Sequence, residues 1–435
     1  MMDFDAAIQY LHGLGHETLT AKLGLTNTER LLCALGDPQD AFDRVQVAGT
    51  NGKGSTVAML DAICRAAGIS TGLYTSPHLI SFTERIRING DDASPELFAR
   101  SVDAVRDAAL LQQRTHGSLP TFFEQMTAAA LFAFRFARVQ LGILETGLGG
   151  RLDSTTAALA NIVALTPVDL DHQEYLGSTL AGIAAEKAAI VRPGVTAIIA
   201  PQSPTVEEVI MTRCHECEVV PRFANGDVAV TGTCRDGRLR INLTTARGIY
   251  KGVCLSLRGR HQIINASVAV ELAEALGERG FSISHAAIIE GLETATHDGR
   301  LDLRPGNPPV LFDGAHNPAG ARALRAYLDE FIDAPVTLVF GAMRGKDLCD
   351  IGASIFPAAR QLILTRPDNR RAATLEALKQ AVPASIDSRR IAFASTVAEA
   401  LTIARRRTQP GGIICVTGSL YLVGEALEIV TRTEH

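Results

Sequence analysis

"VAGTNGKGST", Val47 to Thr56, decides how this chain is read. It joins "RVQVAG", an apolar run that reads as a short strand, to "STVAMLDAICRAAG", whose apolar positions recur at helical spacing and stop at Gly68. Strand, glycine-rich turn and helix is the context of a phosphate loop, because the first N–H groups of a helix are unpaired and point at an anion. The spacing is not the usual one, which has a Gly five positions before the Gly-Lys pair and a Ser or Thr directly after the Lys. Here Val47 lies five positions before Gly52, and Gly54 separates Lys53 from Ser55. Either the match is accidental or this is a shorter variant. Gly49, Gly52 and Gly54 allow close backbone approach, Lys53 supplies a point charge, and Ser55 or Thr56 offers a hydroxyl.

Outward from the loop, "TGLYTSP", "VQLGILETG", "NIVALTP" and "VTAIIAP" read as further strands, with helical patterns over "SPELFARSVDAVRDAALLQQ" and "EQMTAAALFAFRFAR". This alternation predicts an α/β fold with a mostly parallel sheet and helices on both faces. "VAVTGTCRDGRLRINLTT" predicts a hairpin turning at Asp236-Gly237 and a small antiparallel subsheet, after which "NASVAVELAEALGERG" returns to helix. "ATHDGRLDLRPGNPP" is rich in Pro and Gly and reads as a linker. Beyond it "PVLFDGA", "PVTLVFGAM", "RQLILTR", "RIAFAS" and "GGIICVTGS" predict a second, smaller doubly wound, Rossmann-like domain. The expected division is a nucleotide-binding P-loop domain over 1–295, a linker over 296–308 and a C-terminal domain over 309–435.

Composition narrows the class. The 435 residues are 46% hydrophobic and 20% charged, long enough for two or three cores. A net charge of -5 gives no nucleic-acid footprint. "MMDFDAAIQY" lacks the apolar centre of a signal peptide, and no apolar run approaches the roughly 18 residues of a membrane span. A cytoplasmic location is expected, with neither membrane nor nucleic acid as partner. The eight scattered Cys are expected to be reduced core residues, including Cys214 and Cys217 of "CHEC", which have zinc-ligand spacing but no second close pair.

Two strand ends carry acids or imidazole. "VQLGILETGLGGRLDSTT" places Glu145 at the carboxyl end of an apolar strand, where ligands of such folds bind and where a hard cation needs oxygen donors. The alternative is a helix-capping or loop acid. "DLDHQEYLG" places His172 after another strand end, beside Asp169 and Asp171.

With those pieces in hand, the chain resembles the folylpolyglutamate synthases, many bacterial members of which also act as dihydrofolate synthases, within the Mur-ligase-like group of ATP-dependent amide-forming enzymes. The motifs occur in the family's order: "GTNGKGS", "TSPHL" with "ERIRING", "TFFE", "ETGLGGRLD", "DHQEYLG", "EKAAIVRPG", "HQIINA", "DGR", "LFDGAHNPAG" and "GSLYLVGE". They run from about Asp5 to Glu425, and this family puts a Gly after the lysine. The resemblance implies that Thr50, Asn51, Gly52 and Lys53, with Gly54 and Ser55, hold the ATP phosphates. It implies that Ser76, Glu145 and His172 bind magnesium, with two ions in all. Thr121, Phe122, Phe123 and Glu124, with Leu152, Asp153 and Ser154, would contact the pterin substrate. Asn265 would meet the adenine side, Arg300 the phosphates, and Asp313 the ribose or phosphates. His316 and Ser419 are implied for the incoming glutamate. Lys187 matches a lysine that can carry a carbamate and so ligate a second magnesium; the alternative is an exposed helix lysine.

The implied reaction joins L-glutamate to dihydropteroate, and to tetrahydrofolate and its one-carbon forms, through an acyl phosphate made from ATP by a monomer. Lys53, Lys187, Arg300 and His316 are the catalytic candidates. A monofunctional folylpolyglutamate synthase and a Mur-type ligase with another acceptor stay open, although "TFFE" and "SPHL" resemble the folate branch. A nucleotide switch would carry an Asn-Lys-x-Asp guanine motif, which the chain lacks. The chain departs from the family's pattern in two places. His297 and Asp298 stand where Trp-Pro is usual before Gly299-Arg300, and Arg344 precedes Gly345-Lys346-Asp347 where an acid before the Lys is commoner.

Overall fold

The computed structural model describes residues 2–15, 24–234 and 237–433. Strands β1 (Asp43–Ala48), β2 (Thr71–Tyr74), β3 (Ile86–Ile88), β4 (Asp91–Asp92), β5 (Leu141–Glu145), β6 (Ile162–Leu165), β7 (Thr196–Ile199) and β8 (Arg222–Phe223) form one sheet. Its order is β4-β3-β2-β5-β1-β6-β7-β8, parallel throughout except at β2–β3 and β3–β4. The central strands are apolar because both faces are covered. β5, β6 and the last four residues of β1 are wholly buried. The helix Lys53–Ala66 packs on one face with the helices His261–Glu278 and His285–Thr294, while Phe122–Ala137 and Pro95–His116 cover the other. Each buried Leu, Ile or Val contributes about 1.5–3 kcal/mol relative to exposure, so the sheet's centre is held by its apolar side chains. The ligand-bearing loops leave from the carboxyl ends of these strands.

Strands β9 (Asp227–Thr233), β10 (Leu239–Thr244) and β11 (Ile249–Cys254) form the antiparallel subsheet. The turn expected at Asp236-Gly237 lies partly outside the described residues; Gly237 adopts φ +79, as such a turn needs. Here one expectation fails. Cys234 and Cys254 are joined in a disulfide rather than lying as separate reduced thiols. Arg240 pairs with Cys254, and the Cys234 N–H donates to the Arg238 carbonyl, so the ends of the three strands are gathered at one place. Cys214 and Cys217 are buried, and burial raises the Cys214 thiol to about 11.

The C-terminal sheet has the order β12-β13-β17-β14-β15-β16, built from β12 (Asp302–Arg304), β13 (Val310–Asp313), β14 (Val336–Phe340), β15 (Ala359–Leu364), β16 (Ile391–Phe393) and β17 (Ile413–Thr417). All pairs are parallel except β12–β13. β12 is a second correction, since it lies inside the expected linker 296–308. Three residues are enough to extend a sheet at its edge, and Pro and Gly on either side hide them from a periodicity reading. Among the described residues, no helix is long and apolar enough to cross a membrane.

Candidate functional site

The phosphate-loop backbone is fixed before any ligand is considered. The Thr50 and Asn51 N–H groups donate to the Pro167 carbonyl at 3.0 and 3.1 Å, and the Thr50 hydroxyl donates to the Asp169 carbonyl at 2.9 Å. Gly52 caps the helix with φ +88, and a Cβ there would stand 2.1 Å from Asn265 Oδ1. Glycine is thus required twice over, by conformation and by space. Asn265 is held in turn by Gln262, which donates to Ser55 Oγ at 3.2 Å. It therefore braces the loop directly.

Two lysines meet on one carbonyl. Lys53 Nζ donates to the Gly49 and Thr50 oxygens at 3.1 and 3.2 Å, and Lys187 Nζ donates to the Gly49 oxygen at 2.9 Å. Lys187 is buried, so the exposed-lysine alternative fails. Burial, helped by the Lys53 charge, lowers its ammonium to about 7. Burial also lowers Lys53, against the pull of Glu145 and Asp171.

Glu145 is buried at the carboxyl end of β5 and accepts the Ser76 N–H at 3.2 Å. Burial raises its carboxyl, opposed by Lys53, the Ser76 N–H and Arg300. A carboxylate in that state is stabilised by a further positive charge. Burial lowers His172 to about 3, which leaves the neutral imidazole a ligand must be. Ser76 stands at the junction of two cavities, one also lined by Glu145 and Arg300 and the other by His172. Among the described residues no three His, Cys, Asp or Glu side chains form a metal cluster of their own. This donor set fits a magnesium-like cation completed by phosphate oxygens, since such ions keep few protein ligands.

The larger cavity, about 200 Å³, lies between the two sheets. It gathers Thr121, Phe123, Glu124, Leu152, Asp153 and Ser154 with His316 and Ser419. Phe122 is the exception. It is buried edge-on to Phe82 beneath the Arg85 guanidinium and does not line the cavity. The reason is helical: Thr121 and Glu124 form a capping box that starts the helix at Phe122, and consecutive helix residues face different ways. Asp153 also has a structural task, since its carboxylate accepts from Leu148, from the Thr155 backbone and from the Thr155 hydroxyl. Asp313, buried at the end of β13, accepts the Leu301 and Ala315 N–H groups at 3.0 Å. Burial raises it against the nearby Arg300 charge.

Sequence reasoning missed the joint between the domains. Asp171 accepts from Asn317 Nδ2 at 3.2 Å, pairs with Lys346 Nζ, and lies 3.3 Å from His316 Nε2. Although burial alone would raise Asp171, His316, His172 and Lys346 hold it well below the usual carboxylate range. Asn317 Nδ2 also donates to Asn51 Oδ1 of the phosphate loop at 3.0 Å, while its own oxygen caps the following helix. "HNPAG", an Asn directly before Pro at a helix start, was the available signal. Arg344 and Arg371 also line the large cavity.

Residues 47–273 match the Mur ligase middle domain, and residues 299–420 match the Mur ligase glutamate ligase domain. The dihydrofolate synthase/folylpolyglutamate synthase of Bacillus subtilis is 32% identical over 97% of this chain and 98% of its own length. The chain belongs to this family. A probable bifunctional folylpolyglutamate synthase/dihydropteroate synthase of Haloferax volcanii is 34% identical over 99% of this chain, which spans about half of that relative's length, 51%. Among solved structures, Mycobacterium tuberculosis folylpolyglutamate synthase complexed with ADP superimposes with a TM-score of 0.90, at 32% identity over 98% of this chain and 99% of that one. Escherichia coli FolC in complex with DHPP and ADP gives 0.87, at 28% identity over 100% and 99%. The Yersinia pestis bifunctional enzyme complexed with AMPPNP and Mn ion gives 0.84, at 27% identity over 99% and 98%.

Proposed function

We propose that this chain ligates L-glutamate, through its amine, to the carboxylate of dihydropteroate and to that of tetrahydrofolate and its one-carbon forms, with ATP as co-substrate. The observation that supports this best is the cleft itself. A pterin-sized cavity containing Thr121, Phe123, Leu152 and Ser154 opens onto Ser76, beyond which lie Glu145 and Arg300. An acyl acceptor and a triphosphate can therefore meet end to end.

A carboxylate does not react with an amine in water until it is activated. Its oxygen attacks the γ-phosphorus of ATP, the P–O bond to ADP breaks, and an acyl phosphate results. The amine of glutamate, as free base, then attacks the acyl carbon. The C–N bond forms, the C–O bond to phosphate breaks, inorganic phosphate leaves, and the amine gives up one proton. Lys53 and Arg300 stabilise the charge that develops on the transferring phosphoryl group. Ser76, Glu145 and His172 would hold a divalent cation, which when bound would neutralise phosphate charge. The resting ammonium bonds of Lys53 to the loop carbonyls are ones a phosphate can replace. His316, fixed through Nδ1 to the Gly314 carbonyl at 2.8 Å and facing Asp171, orients glutamate together with Ser419. Closure between domains excludes the water that would hydrolyse the acyl phosphate.

Lys187 takes a carbamate in this reading. The amine must be neutral to add to carbon dioxide, and burial supplies that state; the product is an anion able to support a second cation. The test offers the purified chain ATP and glutamate with dihydropteroate or tetrahydrofolate separately. Glutamate-dependent phosphate release with each acceptor is expected. Release with tetrahydrofolate alone would reduce the reading to a folylpolyglutamate synthase, and release with neither would remove it.

A further inference from the structure

The usual phosphate loop puts a Ser or Thr directly after its lysine, and that hydroxyl binds the magnesium of the nucleotide. Gly54 occupies the position here and has no side chain to offer. A Cβ built on Gly54 would lie 2.5 Å from His297 Nε2 and 3.5 Å from Glu145 Oε1. The imidazole nitrogen thus fills the space into which the missing hydroxyl would project, facing the proposed cation ligand Glu145. His297 also shares a cavity of about 40 Å³ with Ser76, Glu145 and Arg300.

His297 Nε2 is buried and has no hydrogen-bond partner. Leaving a polar atom in that condition is destabilising, and a group in a native fold that does so calls for a ligand or ion. An apolar ring would fill the same space without that cost.

We propose that His297 Nε2 is a nitrogen ligand of the nucleotide's divalent cation, standing where the ordinary phosphate loop places its hydroxyl. The inference rests on the ATP-and-cation reading above: His297 shares its cavity with Ser76 and Glu145 while His172 lines the neighbouring one, so these donors close on one ion only when nucleotide and cation are bound. Imidazole suits later first-row ions better than magnesium. His297 therefore shifts the site's preference away from Mg2+ toward ions that take nitrogen donors, and it ties cation binding to the position of the segment entering the second domain; Mn2+ is the paramagnetic probe of that donor.

The experiment uses the full chain with AMPPNP and reads Mn2+ binding by electron paramagnetic resonance, with pulsed detection of nitrogen coupling to the ion. His297→Leu and His297→Gln are compared with wild type, His172→Ala serves as the control for the other imidazole, and thermal unfolding is measured for each. Mn2+ affinity should fall about tenfold or more in both His297 variants, with a smaller fall for Mg2+. Part of the nitrogen coupling should disappear while the His172 contribution remains. AMPPNP affinity in EDTA should be unchanged. Wild-type Mn2+ affinity and coupling in a folded variant would overturn the assignment, as would an equal loss of nucleotide affinity with and without the cation. A wild-type protein that binds no Mn2+ with AMPPNP would instead overturn the ATP-and-cation reading on which the inference stands.

Discussion

The phosphate loop is held from within its own domain, whereas the wall facing it is held across the domain boundary. Thr50 and Asn51 hang from Pro167, Lys53 and Lys187 share the Gly49 carbonyl, and Asn265 fills the space beside Gly52. All of those partners belong to the large domain. The opposite wall depends on Asp171, which draws Lys346, His316 and Asn317 toward the large domain. A hydrogen-bonded loop on a buried sheet keeps its shape whatever the second domain does. A joint made of a few charges and amides opens and closes at modest cost, because such contacts exchange readily with water. Binding therefore belongs to the first region and completion of the reacting site to the second.

That contrast can be broken at either end. The largest effect is expected from Lys53→Ala, which removes the cation meeting the transferring phosphoryl group. Turnover should fall by roughly 10²–10³ or more with thermal unfolding unchanged, because the loop's backbone bonds remain. A folded variant with near-normal turnover would remove the loop from the chemistry.

Arg300 comes next, since it enters with the segment that leads to the second domain and lies near both Glu145 and Asp313. An ammonium cannot reproduce the planar fork of a guanidinium. Arg300→Lys should lower turnover about 10-fold to 100-fold while ATP affinity changes little. Equal losses in both would make Arg300 an ordinary binding residue.

Asp171→Asn tests the joint alone. Glutamate-dependent turnover should drop about tenfold, or about 1.4 kcal/mol, with nucleotide binding intact. The acid limb sharpens the test. The Asp171 carboxyl titrates lower in the folded protein than in the unfolded one, so its contribution is complete above the ordinary carboxylate pKa and is lost as pH falls below it. Wild type should lose stability below about pH 4, and Asp171→Asn should lack that part of the loss in thermal unfolding scans.

The smallest effect concerns Lys187. Its folded pKa, about 7, lies below the 10.5 of an ordinary lysine, so the unfolded chain binds more protons between those values and stability rises with pH there. The neutral amine increases over the same limb. At fixed dissolved carbon dioxide, the carbamate signal in carbon-13 spectra should grow more than about fourfold between about pH 6.5 and 8, because the neutral amine rises about fourfold and carbamate formation also releases a proton. No such signal in wild type, or an equal one in Lys187→Met, would exclude the carbamate.

Much of the first region was legible in the chain. Strand, glycine turn and helix are contiguous, and Glu145 could be found because a parallel strand delivers its last residue to the ligand edge. The joint was not legible, because Asp171 and Lys346 are 175 positions apart and only folding brings them together. Phe122 was misread because neighbouring aromatics in "TFFE" look equivalent until the capping box sets their direction. β12 was hidden by its length, and the Cys234–Cys254 bond by a separation of 20 residues without a spacing signature. His297 was visible only as a departure; its meaning needed the space beside Gly54.

The central claim is that the acceptor carboxylate is activated by phosphoryl transfer inside the cleft. It is tested most directly with an acceptor whose carboxylate carries oxygen-18, in the presence of ATP and glutamate. The account predicts that each inorganic phosphate released during ligation carries one labelled oxygen, because the C–O bond broken by the amine belonged to the substrate. Amide product formed with unlabelled phosphate would contradict it.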